Sequence, residues 1–189
     1  MASSFSFFQK IKHQWETEIQ PIIEEICGCI TNIIEKEPNP QMFRKCEPTD
    51  IYTQIYNMTT HYQFDFYHLD FLYNQEIDCI TTFCRQFHIH NLPEMNRQII
   101  GFQILLKWFQ CFFHHLNIYR SRLYNNINTS HDDMIYSIRS HYLKPQKQVI
   151  YHLICTAWYK IRTQEYIKDS VLLETMRTIQ FFYPKYYND

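Results

Sequence analysis

The chain has 189 residues, 46% of them hydrophobic, with 15 Phe and 15 Tyr; that is enough for one domain with a sizeable core, and too apolar for disorder over most of its length. Its two glycines, Gly28 and Gly101, exclude a glycine-rich phosphate cradle and a dinucleotide fingerprint, and they favour helices joined by loops over turn-rich sheets. Eighteen basic and nineteen acidic residues are interspersed to a net charge of -1; with only a local cluster at Lys10, Lys12 and His13, no nucleic-acid partner is expected.

The first predicted helix runs from about Phe7 to Glu35, with Trp15, Ile19, Ile22, Ile26, Ile30 and Ile33 at threes and fours. Pro21 sits inside that pattern and should kink or divide the helix. Lys36 to Asp50, with Pro38, Pro40 and Pro48, reads as a loop whose Thr49 or Asp50 caps the next helix. That helix, Ile51 to Thr60, sets Ile51, Ile55 and Met58 on one edge and Tyr52 and Tyr56 on an adjoining strip. A break at His61 to Asp65 leads to a third helix, about Phe66 to Phe87. Leu92-Pro93 opens a fourth, through Asn117 or beyond, with apolar positions so dense that burial on more than one side is implied. Asn125 to Asp133 is a second loop. Further helices are predicted near Met134 to Tyr142 and from about Gln146 to Phe182, with a break near Asp169. The whole is an all-α single domain over residues 1–182, a bundle of five to six helices, ending in an aromatic tail at 183–189.

The seven cysteines are scattered and no secretory signal precedes them, which points to reduced, mostly buried thiols in an intracellular chain, cytoplasmic or nuclear. No apolar run approaches the ~18 residues of a spanning helix. The aromatic fourth helix has no long basic stripe beside it, so no membrane partner is expected. His88-Ile89-His90, His114-His115 and Cys27-Gly28-Cys29 lack the paired spacing of a zinc site, so neither metal nor cofactor is expected. Cys111 lies three and four residues from His114 and His115, within reach on one helix face. Its neighbours Trp108, Phe109, Phe112 and Phe113 suggest an inert, buried thiol, and no catalysis is expected.

Three blocks, in order, resemble one family. Ile51-Tyr52-Thr53-Gln54-Ile55-Tyr56-Asn57-Met58-Thr59-Thr60 is similar to the second helix of the first cullin repeat, apolar-Tyr-x-x-apolar-Tyr-Asn-x-Cys-Thr. Leu72-Tyr73 resembles the opening of its third helix, and Leu106 to Tyr119 its fourth-helix pattern of Phe-x-Tyr-Leu-Asp/Asn-Arg-Tyr. Trp15 stands where cullins carry a first-helix Trp, and Val149 to Phe182 is compatible with the fifth helix and the start of the next. The resemblance spans about residues 10 to 180. It implies a five-helix cullin repeat that docks the adaptor of a ubiquitin ligase, a Skp-type protein or, second, a BTB protein. Carried across, the docking face holds Pro48, Thr49, Tyr52, Ile55, Tyr56, Asn117 and Tyr119. Pro48-Thr49 replaces the bulky pair the family tends to carry there, and the basic run after the fourth helix is thinned to Arg120-Ser121-Arg122. The resemblance stops after one repeat, which implies no RING subunit as partner and leaves open a competitor of full-length cullins, a degenerate fragment or a module with a changed partner. For Tyr52 and Tyr56 two readings stay open, an adaptor contact or packing in the bundle's own core. The alternative function is a self-standing helical structural or oligomerisation protein.

Overall fold

The computed structural model describes residues 2–35, 48–61, 64–124, 130–163 and 169–182. Among them every regular element is helical: α1 (Ala2–Gln14), α2 (Gln20–Glu35), α3 (Pro48–Thr59), α4 (Phe66–Cys84), α5 (Leu92–Phe112), α6 (His114–Tyr124), α7 (Ser130–Ile138), α8 (Lys147–Arg162) and α9 (Asp169–Phe182). The expected all-α bundle is therefore present. The fourth predicted helix is subdivided at Phe113, and the last divides near its expected break, into α8 ending at Arg162 and α9 starting at Asp169. The tail at 183–189 lies outside the described residues.

Helical structure runs through Pro21 without a break. A proline has no N–H for the carbonyl four residues back. Just upstream the chain widens into a π-helical turn, Trp15–Ile19, in which the Gln20 N–H donates to the Trp15 carbonyl, and α1 runs on into α2. The wide turn re-phases the buried face. Trp15, Ile19, Ile23, Ile26, Ile30 and Ile34 are the wholly buried set, while Ile22 and Ile33, expected there from a regular helical repeat, are half-buried. A second π turn, Arg139–Leu143, extends α7 and turns Tyr142 and Leu143 together into the core.

The central element is α5, packed against α2, α3, α6, α7, α8 and α9. Asn91 caps it, its side chain accepting from the Glu94 N–H at 2.9 Å, and Pro93 occupies its first turn, where no N–H is needed. Phe102, Leu105, Phe109, Phe112 and Phe113 form its buried spine. Gly101 lets α2 approach closely, since a Cβ there would stand 2.5 Å from Ile34 Cδ1 and 3.2 Å from Ile30 Cγ2. Asp65 caps α4 by accepting from the Tyr67 and His68 N–H groups, and His68 Nδ1 accepts from the Asp65 N–H, closing a reciprocal box.

Buried and part-buried polar groups link the helices. Gln98 accepts from the Tyr142 hydroxyl at 2.5 Å and donates to the His88 carbonyl at 2.9 Å. Gln146 accepts from the Ile89 N–H at 2.6 Å. The Arg97 Nε–H donates to the Ile34 carbonyl at 3.0 Å, tying the end of α2 to α5. The Tyr73 hydroxyl donates to Asp133, and the Arg120 guanidinium, 3.4 Å from the same carboxylate, lies over the Tyr73 ring at 3.6 Å.

Candidate functional site

The exposed edge of α3 is set by its sequence. Ile51, Ile55 and Met58, spaced four and three apart, are all buried against α5 and α6. Tyr52 and Tyr56, one residue further round, lie outside that seam with 36% and 42% of their surface exposed. Their rings are stacked, centroids 6.2 Å apart and planes 25° from parallel. Two rings a helical turn apart thus make one continuous aromatic ridge.

Of the residues that the resemblance assigns to the docking face, the structure brings only some to a surface. Tyr52 and Tyr56 stand outward. Ile55 is corrected: it is wholly enclosed in the core and presents no surface to a partner. The reason is its place midway between Ile51 and Met58 on the inward edge. Pro48 and Thr49 lie in the first turn of α3, so the helix starts at Pro48 rather than after a Thr49 or Asp50 cap; their side chains lie outside what the structure describes. Asn117 and Tyr119 are on α6, both half-buried. Asn117 Oδ1 is enclosed without a hydrogen-bond partner among the described residues. Tyr119 packs against the core, its ring edge-to-face with Phe64 at 5.5 Å.

One residue of this region was weighed in the sequence only as a metal ligand or a partner of Cys111, not as part of the docking face. His115, at the start of α6, sets its ring edge-to-face against Tyr56 at 4.7 Å. Its Nδ1 lies 2.8 Å from Thr59 Oγ1. The Thr59 hydroxyl also lies 3.0 Å from the Ile55 and Tyr56 carbonyls. The pair is complementary in either tautomer, with Thr59 Oγ1 accepting from an Nδ1–H or donating to a bare Nδ1. The ridge therefore continues from Tyr52 through Tyr56 to an imidazole held in place from α3. The pairing links residues 56 positions apart, and no local spacing announces it.

The thiols correct a second expectation. Cys111 is exposed, not buried, as is Cys155. Cys111 comes two residues after the buried Phe109, a rotation of about 200° around the helix, which turns it outward. Cys27 and Cys79 line a cleft of about 200 Å³ between α2 and α4, floored by Ile23 and Phe83 and rimmed by Glu24 and Asp78. Burial, then the negative groups around them, pushes both thiols up to about 12, so neither supplies a thiolate near neutral pH. Among the described residues, no helix is long and apolar enough to cross a membrane. No family model, no curated protein and no solved structure matches the chain.

Proposed function

We propose that the chain is a non-catalytic protein–protein interaction module that binds the adaptor of a ubiquitin ligase, a Skp-type protein first and a BTB protein second. Its sequence blocks resemble the part of a cullin that performs this docking. The observation that carries the proposal is the outward ridge of Tyr52 and Tyr56 on a helix whose aliphatic edge is spent on the core. Each phenol offers apolar area, a polar tip and few rotors to freeze, the character of an interface anchor.

Size supports the role. A tyrosine buries about 200 Å² in full, so with 36% and 42% exposed the pair still offers a partner about 150 Å². At about 25 cal/mol per Å² this is about 4 kcal/mol, between a hundredfold and a thousandfold in affinity. Binding of the full chain to an immobilised Skp-type adaptor, and in parallel to a BTB protein, is measured for wild type and for Tyr52→Ala/Tyr56→Ala. The expected result is loss of adaptor binding by the double variant with its far-ultraviolet circular dichroism unchanged. An N-terminal cullin fragment should compete for the same adaptor. Absence of binding to both adaptor classes by the wild-type chain, or undiminished binding by the double variant, overturns the proposal.

A further inference from the structure

The outer face of α8 is built differently from the ridge on α3. Its sixteen residues contain no carboxylate. Lys147, Tyr151, Cys155, Trp158 and Arg162 succeed one another at spacings of four, four, three and four, which puts them in one line along the helix. Tyr159, four beyond Cys155, lies beside that line. Tyr151 is 72%, Trp158 58% and Tyr159 67% exposed. The opposite face, Ile150, Leu153, Ile154, Ala157 and Ile161, seats the helix on the bundle. Core packing therefore accounts for these five residues, while Val149 and the three aromatics stay exposed.

We propose that this stripe binds an anionic phospholipid surface, with α8 lying along the headgroup layer. Charge is the first reason. Lys147 stands at one end and Lys160 and Arg162 at the other, all exposed, with no acidic residue between them. On the neighbouring α9, Glu174 and Arg177 offset one another and Asp169 is the one further acid, while Leu173 and Met176 add exposed apolar area at 54% and 52%. Residue type is the second reason. Indole and phenol rings, apolar with one polar tip, concentrate at the boundary between headgroups and acyl chains, and basic side chains beside them meet the lipid charge. Shape is the third. The stripe, about 22 Å long, is the convex side of a single helix. A flat, yielding surface meets such a ridge along its whole length.

The full chain is sedimented with phosphatidylcholine vesicles, with and without phosphatidylserine. Association is expected only with phosphatidylserine and should fall as salt rises. Each basic side chain at such a surface contributes about fivefold in affinity, so Lys147→Gln/Lys160→Gln/Arg162→Gln should weaken binding about a hundredfold. Of the three tryptophans Trp15 is buried and Trp108 half-buried, which leaves Trp158 as the exposed one. Lipids brominated near the headgroup should quench the wild type and spare Trp158→Phe. Tyr52→Ala/Tyr56→Ala should bind vesicles as the wild type does, which separates this face from the adaptor ridge. The proposal is overturned by vesicle binding that ignores phosphatidylserine, by full binding of the triple variant, or by unquenched Trp158. Capture on immobilised polyglutamate without vesicle binding also overturns it and assigns the stripe to an acidic protein.

Discussion

The two glycines should respond to the same substitution with opposite signs. Both lie within helices, Gly28 in α2 and Gly101 in α5. In a helix interior Gly→Ala gains about 1 kcal/mol from backbone conformational entropy. At Gly28 nothing lies within 4 Å of the added Cβ, so the gain is kept and Tm should rise by about 2–4 °C for a chain of this length. At Gly101 the Cβ would stand 2.5 Å from Ile34 Cδ1 and 2.6 Å from Ile34 Cγ1, so Ile34, itself buried, must shift. Overpacking of that kind costs about 1–3 kcal/mol, and the net effect is a loss of about 1 kcal/mol, a fall in Tm of about 2–4 °C. Thermal and urea unfolding monitored by circular dichroism measure both. Ile34→Ala supplies the decisive control. Once the obstructing side chain is gone, adding Gly101→Ala should be stabilising, leaving a coupling of about 1–3 kcal/mol between the two positions. Should Gly101→Ala stabilise the wild-type chain as Gly28→Ala does, or the pair prove additive, the close packing of α2 on α5 is refuted.

Burial, thiol chemistry and capping each yield a further expected outcome. Ile55→Ala empties a wholly buried site on α3 and should cost about 2–5 kcal/mol in urea unfolding, whereas Tyr52→Ala and Tyr56→Ala, on the neighbouring part-exposed edge, should each cost less than Ile55→Ala does. Brief alkylation of the native chain at mildly alkaline pH should modify Cys111 and Cys155 well before Cys27, Cys79 and Cys84, as read by peptide mass spectrometry. Because Cys27 and Cys79 hold their protons up to about 12 when folded but only to about 9 when unfolded, their contribution is intact below pH 9 and declines as pH rises towards 12. The slope is up to about 1.4 kcal/mol per pH unit for each thiol, and Cys27→Ala/Cys79→Ala should flatten that part of the alkaline unfolding curve. Finally, Asp65→Ala removes the side-chain half of the α4 cap and should lower stability by about 1 kcal/mol, with Asp65→Asn retaining most of it.

The helical class, the start of α5 at Leu92-Pro93 and the two edges of α3 were all legible from spacing alone. Each depends on contacts within a few residues, which periodicity records directly. Position Ile22 against Ile23 was not legible, because a π turn inserts an extra residue into the pitch and only the widened backbone reveals it. The docking set was partly legible for a related reason. Ile55 was placed on it by resemblance, although its own spacing from Ile51 already put it on the inward edge. Cys111 was misread because Phe109, two residues before it, faces the core, while Cys111 itself is turned outward. His115 and the outward line of α8 depend on which faces the other helices cover, and that is a property of the assembled bundle.

The wide turn ahead of Pro21 also acts as a rotation joint fixed at one setting. It orients Phe7 and Ile11 as a block relative to the isoleucines of α2, although no loop separates them. Removing a single residue between Trp15 and Ile19 would swing that whole block by about 100°. It would also put the proline ring against an ordinary helical carbonyl. An N-terminal segment joined in this way tolerates changes of side chain far better than changes of length.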